Sequence, residues 1–321
     1  MRALPSLRQL QYLVELAKRR NFTRAAEACF VTQSTLSAGL KELESLLGTQ
    51  LVERDRQSVR MTPAGDMAVT RARVLLAAAD DLVEAAAAAT PMSGTVKLGV
   101  IPTVAPFLLP GLLAAMRHRS PRLRLALRED LTANLMTRLG EGALDFALIA
   151  LPWDTTGLLV RELFGDELWL VAPEKDPALA ARHLVVTPAM TERLLILEEG
   201  HCLREHALQA CGESAVVRPG GVEATSLLTL VEMVDAGMGI SLVPELALKG
   251  GVLKMTRLVA RPLAAPAPRR IIALVARRST ARTEEFQSIA DCTIELQQRR
   301  MAAAMPSTAR RARRPDGHRT A

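Results

Sequence analysis

Residues 7–48 read LRQLQYLVELAKRRNFTRAAEACFVTQSTLSAGLKELESLLG, and the apolar rhythms in this stretch decide how the chain begins. Leu10, Val14 and Ala17 recur along one helix face, Ala25, Ala26 and Cys29 mark a second, shorter helix, and Leu36, Leu40, Leu43 and Leu47 form the stripe of a third. Thr23 is placed to cap the second helix and Thr32 the third, because a short side-chain oxygen ahead of a helix accepts from its free backbone N–H groups. Gly48 ends the third helix, where the chain turns left-handed most easily. Phe30 and Val31 leave space only for a tight turn between helices two and three, which is the spacing of a helix-turn-helix. Residues 51–61 then alternate weakly and carry Glu53, Arg54, Asp55, Arg56 and Arg60, a pattern that reads as a small β-wing.

Opposite its leucines the third helix carries Gln33, Ser34, Ser37 and Lys41. Short hydrogen-bonding side chains at a helix N-terminus suit base edges in a major groove, and Lys41, Arg54 and Arg56 suit phosphates. The solvated face of an ordinary helical domain would look the same by periodicity. Charge is uneven along the chain. Residues 1–62 hold ten Lys/Arg against six Asp/Glu and residues 299–321 seven Arg against Asp316 alone, while the middle is slightly acidic. Basic ends on an acidic body fit a nucleic-acid partner met by one part of the molecule. The chain has 321 residues, enough for two or three folding units. No apolar run is long and uncharged enough to span a membrane, and Arg2 and Arg8 bracket no export-type apolar stretch, so a cytoplasmic location is expected.

Residues 63–90 contain no Gly or Pro after Gly65 and are rich in alanine, which predicts one long helix entered at Pro63. A helix of this kind needs a partner for its Met67, Val74, Leu75 and Leu82 stripe, either a second chain or the chain's own core. From residue 93 the pattern changes. Apolar runs at 96–101, 123–127, 146–150, 168–172 and 271–276 read as buried strands, with helices at 108–117 and 226–236 between them, so a parallel α/β sheet is expected. The last 21 residues, 301–321, are basic and poor in core-forming residues and read as a disordered tail.

Four cysteines are too few for a disulfide-stapled scaffold, yet Cys202 and Cys211 stand nine positions apart in ILEEGHCLREHALQAC at 196–211. If 203–211 is helical, nine rises separate the two Cα atoms by ~13.5 Å. A disulfide needs about 4.4–6.8 Å. Oxidation would therefore require this segment to unwind, which is what a redox switch between two folds demands. Cys202 sits at the first helical turn, beside His201 and near Arg204, where partial positive charge favours a thiolate, although Glu198 and Glu199 oppose it. Two buried thiols that never pair, a metal site from His201, Cys202, His206 and Cys211, or a thiol-peroxidase nucleophile are the other readings of the same residues. Cys29 and Cys292 fall on apolar faces and read as structural.

Residues 7–65 resemble the DNA-binding domain of LysR-type transcriptional regulators, most specifically through FTRAAE at 22–27, TQSTLS at 32–37, LKELESLLG at 40–48 and the closing LVER and TPAG. Ser34 departs from the proline that many members carry there. GHCLREHALQAC at 200–211 is similar to the signature of the peroxide-sensing OxyR group, and MSGTVKLGVIPTVAPFLLP at 92–110 and PRRIIALVAR at 268–277 agree with it.

The resemblance implies an N-terminal winged helix-turn-helix over 1–62 and a linker and dimerisation helix over 63–91. After them it implies an α/β two-lobed periplasmic-binding-protein-like domain over 92–300, with the chain crossing between lobes near 165 and 268. It implies that Thr32, Gln33, Ser34, Thr35, Ser37, Lys41, Arg54 and Arg56 meet double-stranded promoter DNA. Cys202 would react with hydrogen peroxide and Cys211 resolve it, with Thr103, Thr132, His201 and Arg270 around the peroxide. The expected protein is a homodimer or homotetramer that recruits RNA polymerase, holds no cofactor or metal and is no enzyme. A LysR-type regulator answering a small organic effector between the lobes is the alternative.

Overall fold

The structure is a computed structural model that describes residues 3–54, 59–86, 91–211 and 223–304. The N-terminal unit packs α1 (Leu7–Arg19), α2 (Phe22–Ala28) and α3 (Gln33–Leu47) around fully buried Leu13, Leu16, Leu36, Leu40 and Leu43. Burying each such side chain contributes about 1.5–3 kcal/mol. Ser6 opens α1 with a reciprocal capping box to Gln9, and Thr32 caps α3 through the Thr35 N–H. Helix α2 differs from expectation. Its cap is Asn21, which accepts from the Arg24 N–H, and Thr23 lies inside the first turn. Leu47 also leaves the expected stripe and is exposed, because α3 ends at Gly48, whose φ of 67° turns the chain away. A two-stranded wing follows, β1 (Val52–Arg54) antiparallel to β2 (Val59–Met61).

The long helix α4 runs over Pro63–Ala86, with residues 87–90 outside the described ones. Its Met67, Val74, Leu75 and Leu82 face outward, whereas Val69, Ala72 and Ala77 are buried by the chain itself. No helix among the described residues is long and apolar enough to cross a membrane.

The remainder has two cores. The first lobe contains β3 (Gly94–Val100), α5 (Ala105–Arg119), β4 (Leu123–Glu129), α6 (Thr132–Gly140), β5 (Phe146–Leu151) and the first half of β6 (Leu158–Pro173). The second takes over from the far half of β6. It holds α7 (Pro188–Thr191), β7 (Ile196–Leu197), α8 (Cys202–Cys211), β8 (Glu223–Ala224), α9 (Leu227–Asp235), β9 (Ser241–Pro244), α10 (Glu245–Lys249) and β10 (Leu258–Pro262). The chain then returns through β11 (Arg269–Arg277) and ends on α11 (Thr283–Ala304), four residues past the expected end of the ordered part; residues 305–321 lie outside the described ones.

The sheet is mixed rather than parallel. Strand β3 is parallel to β4 and β5, but β11 enters from the other lobe and runs antiparallel to both β5 and β6. A strand buried on both faces has the same apolar run in either direction, so the sequence cannot give its sense. Strand β6 serves both lobes: its early residues pair with β11, and Leu168–Pro173 pair with β9 and β10.

Helix α4 is fastened to the first lobe. Arg277 of β11 donates from Nε and Nη2 to both carboxylate oxygens of Asp81, Ser279 adds a third bond to Asp81, and Arg277 Nη1 reaches the Leu139 and Leu144 carbonyls at the end of α6. Gly142, at φ 74°, lets the chain approach so closely that a Cβ there would sit 2.7 Å from the Ala77 Cβ. Burial alone would push the Asp81 carboxyl up, but the bonds from Arg277 and Ser279 hold it below its ordinary value of 3.8. A depressed carboxylate contributes stability above its unfolded value that is lost as pH falls through the folded one. Urea unfolding midpoints should therefore hold down to about pH 4 and drop below it, and Asp81→Asn should lower the neutral midpoint and flatten that acid dependence.

Candidate redox site and nucleic-acid interface

Three loops meet where the lobes face each other. The turn after β3 brings Ile101, Pro102 and Thr103, the start of α6 brings Leu131 and Thr132, and the entry to α8 brings Gly200, His201 and Cys202; together they line a narrow gap too tight to hold a water molecule as it stands. The first two lie beyond the carboxyl ends of β3 and β4, where an open α/β sheet leaves its crevice. Gly200, at φ 96°, allows the third to come close, since a Cβ there would meet Leu131 Cδ1 at 3.1 Å. Cys202 packs against the first core, while Leu203 and Ala207, on the same helix, belong to the second.

The polar groups of this cavity are deeply buried. Thr103 and Thr132 are each 1% exposed and His201 5%. Among the described residues the Thr132 hydroxyl has no hydrogen-bond partner. Leaving such a group unpaired costs about 1–3 kcal/mol, a cost that a hydrogen-bonding guest admitted to the gap would remove. Thr103 Oγ1 accepts from Arg270 Nη1 at 2.7 Å, which leaves its own hydrogen to donate elsewhere. Burial lowers the basicity of His201, with Glu198 and a bond to the Thr225 backbone only partly opposing it, so its imidazole is favoured neutral.

Arg270 stands behind Thr103 and is not on the cavity wall. Its guanidinium is fully buried against Asp166, which accepts from Nε at 3.1 Å and Nη2 at 3.0 Å, and its Nη2 also reaches the Thr103 carbonyl. The other Asp166 oxygen accepts from the Leu246 N–H at the start of α10. Asp166 is a residue the sequence reading missed. Its register position directly opposite Arg270 on β11 exists only once β6 and β11 are paired.

Cys202 and Cys211 occupy the first and last positions of α8, both as free thiols, and nine rises put their Cα atoms ~13.5 Å apart. Burial pushes the Cys211 thiol up, so it is protonated at neutral pH. Arg204 ties the first turn of α8 to the Leu197 carbonyl and to Glu223. His206, which the sequence offered only as one member of a metal site, instead lies within hydrogen-bond distance of the Cys202 and Leu151 carbonyls, one turn beyond Cys202. Among the described residues no group of three or more His, Cys, Asp and Glu could hold a metal ion. Cys29 and Cys292 are buried in the DNA-reading unit and the first lobe, away from this pair.

At the other end of the chain, Gln33, Ser34, Thr35 and Lys41 are exposed along one side of α3 and Ser37 is half-buried among them. Thr32 is engaged as the cap, bonded to the Ser34 and Thr35 hydroxyls, and Thr23 donates to the Gln33 side-chain oxygen. That bond uses the Gln33 side-chain oxygen and not its NH₂ group. Arg54 ends β1; Arg56 lies outside the described residues.

Residues 7–66 match the family model of the bacterial regulatory helix-turn-helix protein, lysR family, and residues 89–298 match that of the LysR substrate binding domain. The chain is 46% identical to the HTH-type transcriptional regulator EstR of Acinetobacter baylyi, over 91% of this chain and 97% of that protein. It is 40% identical to a probable hydrogen peroxide-inducible genes activator of Mycobacterium avium, over 91% and 94%. Among solved structures, a full-length OxyR variant from Pseudomonas aeruginosa superposes with a TM-score of 0.72 at 34% identity, covering 91% of this chain and 98% of that one.

The ion pair at the lobe crossing makes a direct demand on stability. Removing one partner of a fully buried pair strands the other charge at about 3–5 kcal/mol. Asp166→Ala should lower the unfolding free energy by that amount in denaturant titrations, and a combined Asp166→Ala, Arg270→Met protein should recover most of it.

Proposed function

The chain belongs to the LysR family of bacterial regulatory helix-turn-helix proteins, and from this we propose that it is a hydrogen-peroxide sensor that switches transcription through a Cys202–Cys211 disulfide. The observation that supports the reading is the buried Thr132 hydroxyl, unpaired among the described residues, on the narrow gap that Cys202 also lines, a gap that must widen to admit a peroxide. A peroxide both donates and accepts on each oxygen, so Thr132 and the free hydrogen of Thr103 can hold one beside the sulfur. Cys202 sulfur attacks one peroxide oxygen; the S–O bond forms, the O–O bond breaks, and the departing hydroxide takes a proton to leave as water. Arg270, through Thr103, supplies positive charge to that departure. The Cys211 thiol then condenses with the sulfenic acid, forming S–S, breaking S–O and releasing a second water. Relatives named as peroxide-inducible activators support this reading.

The disulfide state cannot keep α8 helical, so oxidation repacks the segment around 200–220 and changes how copies of the chain sit on DNA. The exposed stripe of α4 is the dimerisation surface, a dimer of dimers binds promoter DNA, and the oxidised form recruits RNA polymerase. In the DNA contact Gln33, Ser34, Thr35 and Ser37 face base edges, Lys41, Arg54 and Arg56 meet phosphates, and Thr32 sets the helix start. A second reading, a small organic effector between the lobes, draws on the 46% identical relative, whose name makes no mention of peroxide.

Stoichiometric hydrogen peroxide should produce a Cys202–Cys211 linkage seen by mass spectrometry of peptides and should alter the promoter footprint. No linkage, or the same response from Cys202→Ser, would sink the sensor reading and leave the effector one. Thr132→Val removes the unpaired hydroxyl while keeping its volume. It should stabilise the reduced protein by about 1 kcal/mol while slowing peroxide consumption by about 10- to 100-fold. Gln33→Ala should cost about 1–3 kcal/mol of discrimination between operator and unrelated DNA in binding titrations.

A further inference from the structure

Helix α8 is anchored to the second lobe by its apolar side, yet its first residue packs on the first lobe. One side chain spans that division. His206 is 6% exposed, and its Nδ1 lies 2.6 Å from the Cys202 carbonyl oxygen while its Nε2 lies 2.9 Å from the Leu151 carbonyl oxygen at the end of β5. Both partners are acceptors only, so the ring donates to one of them as either neutral tautomer and to both only when both nitrogens carry hydrogen. The imidazole thus joins the first turn of α8 to the sheet of the opposite lobe at the residue whose sulfur faces the cavity.

We propose that His206 is the positioning residue for Cys202, holding its turn of α8 on the first lobe in the dithiol state and thereby setting how readily the disulfide forms. The proposal rests on the Cys202–Cys211 pair being redox-active. When the disulfide closes, α8 unwinds, the Cys202 carbonyl leaves, and the bridge to Leu151 is lost with it. The bridge therefore stabilises the dithiol state and contributes nothing to the disulfide state. Breaking it by mutation strands the Leu151 carbonyl in the dithiol form as well, which acts in the same direction.

The test equilibrates the full chain with glutathione buffers, in which the protein dithiol and glutathione disulfide exchange to protein disulfide and two glutathione thiols. His206→Phe keeps the bulk and removes both ring nitrogens; His206→Gln keeps an NH₂ group that can donate to either carbonyl. His206→Phe should favour the disulfide by about tenfold, which is about 30 mV toward more negative potential. His206→Gln should stay near wild type. Urea unfolding should show His206→Phe destabilised in the dithiol form and unchanged in the disulfide form, a split that a general folding defect would not give. An unshifted potential in His206→Phe, or an equal shift in His206→Gln, would overturn the assignment. A wild-type chain that forms the disulfide in glutathione buffer and not with peroxide would overturn the peroxide reading and leave this one standing. A chain that forms it in neither would overturn both.

Discussion

The Asp166–Arg270 pair is the constraint on which the regulatory half depends. It sits where β6 and β11 pass from one lobe to the other, with both side chains fully removed from solvent. Charges so placed are tolerated only when each is answered, and here every bond does a second job. The Asp166 carboxylate starts α10 through the Leu246 N–H, and the guanidinium fixes the Thr103 hydroxyl and carbonyl after β3. The crossing between lobes and one wall of the cavity are thus set by the same four groups.

Against that fixed frame, α8 is held by divided loyalties. Leu203 and Ala207 bury in the second core, Cys202 against the first, and Arg204 and His206 tether the opening turn to β7, β8 and β5. The Thr132 hydroxyl, unpaired among the described residues, is a cost to stability that a valine of similar volume would not carry.

Much of this was legible in the sequence, and the reasons differ by element. The helix-turn-helix was readable because Leu36, Leu40 and Leu43 obey one local period and Thr32 and Gly48 are chemically suited to helix ends. Asn21 was passed over for Thr23 because both are capping residues two positions apart, and only backbone geometry decides between them. The cysteine spacing was readable as incompatible with a bond across an intact helix, and Cys202–Cys211 is the span of α8. Arg270 was readable as a charge in a strand but not as a group behind Thr103, since that depends on a side chain reaching across two loops. Asp166 and the sense of β11 were not readable, because pairing between residues a hundred positions apart leaves no local trace.

The N-terminal unit joins this frame through bonds from α4 to the first lobe. Helix α4 packs on α1 with its inner face, and its Asp81 takes both guanidinium arms of Arg277, whose remaining arm holds the end of α6. The start of the same α6 is Thr132 on the cavity wall. Helix α6, nine residues long, therefore has one end at the cavity and the other at the linker helix, within a single tightly packed lobe. The linker helix and the first lobe are therefore one bonded body, tied by Arg277 and Asp81 at one end of α6, while the other end of α6 lines the gap that the entry to α8 closes.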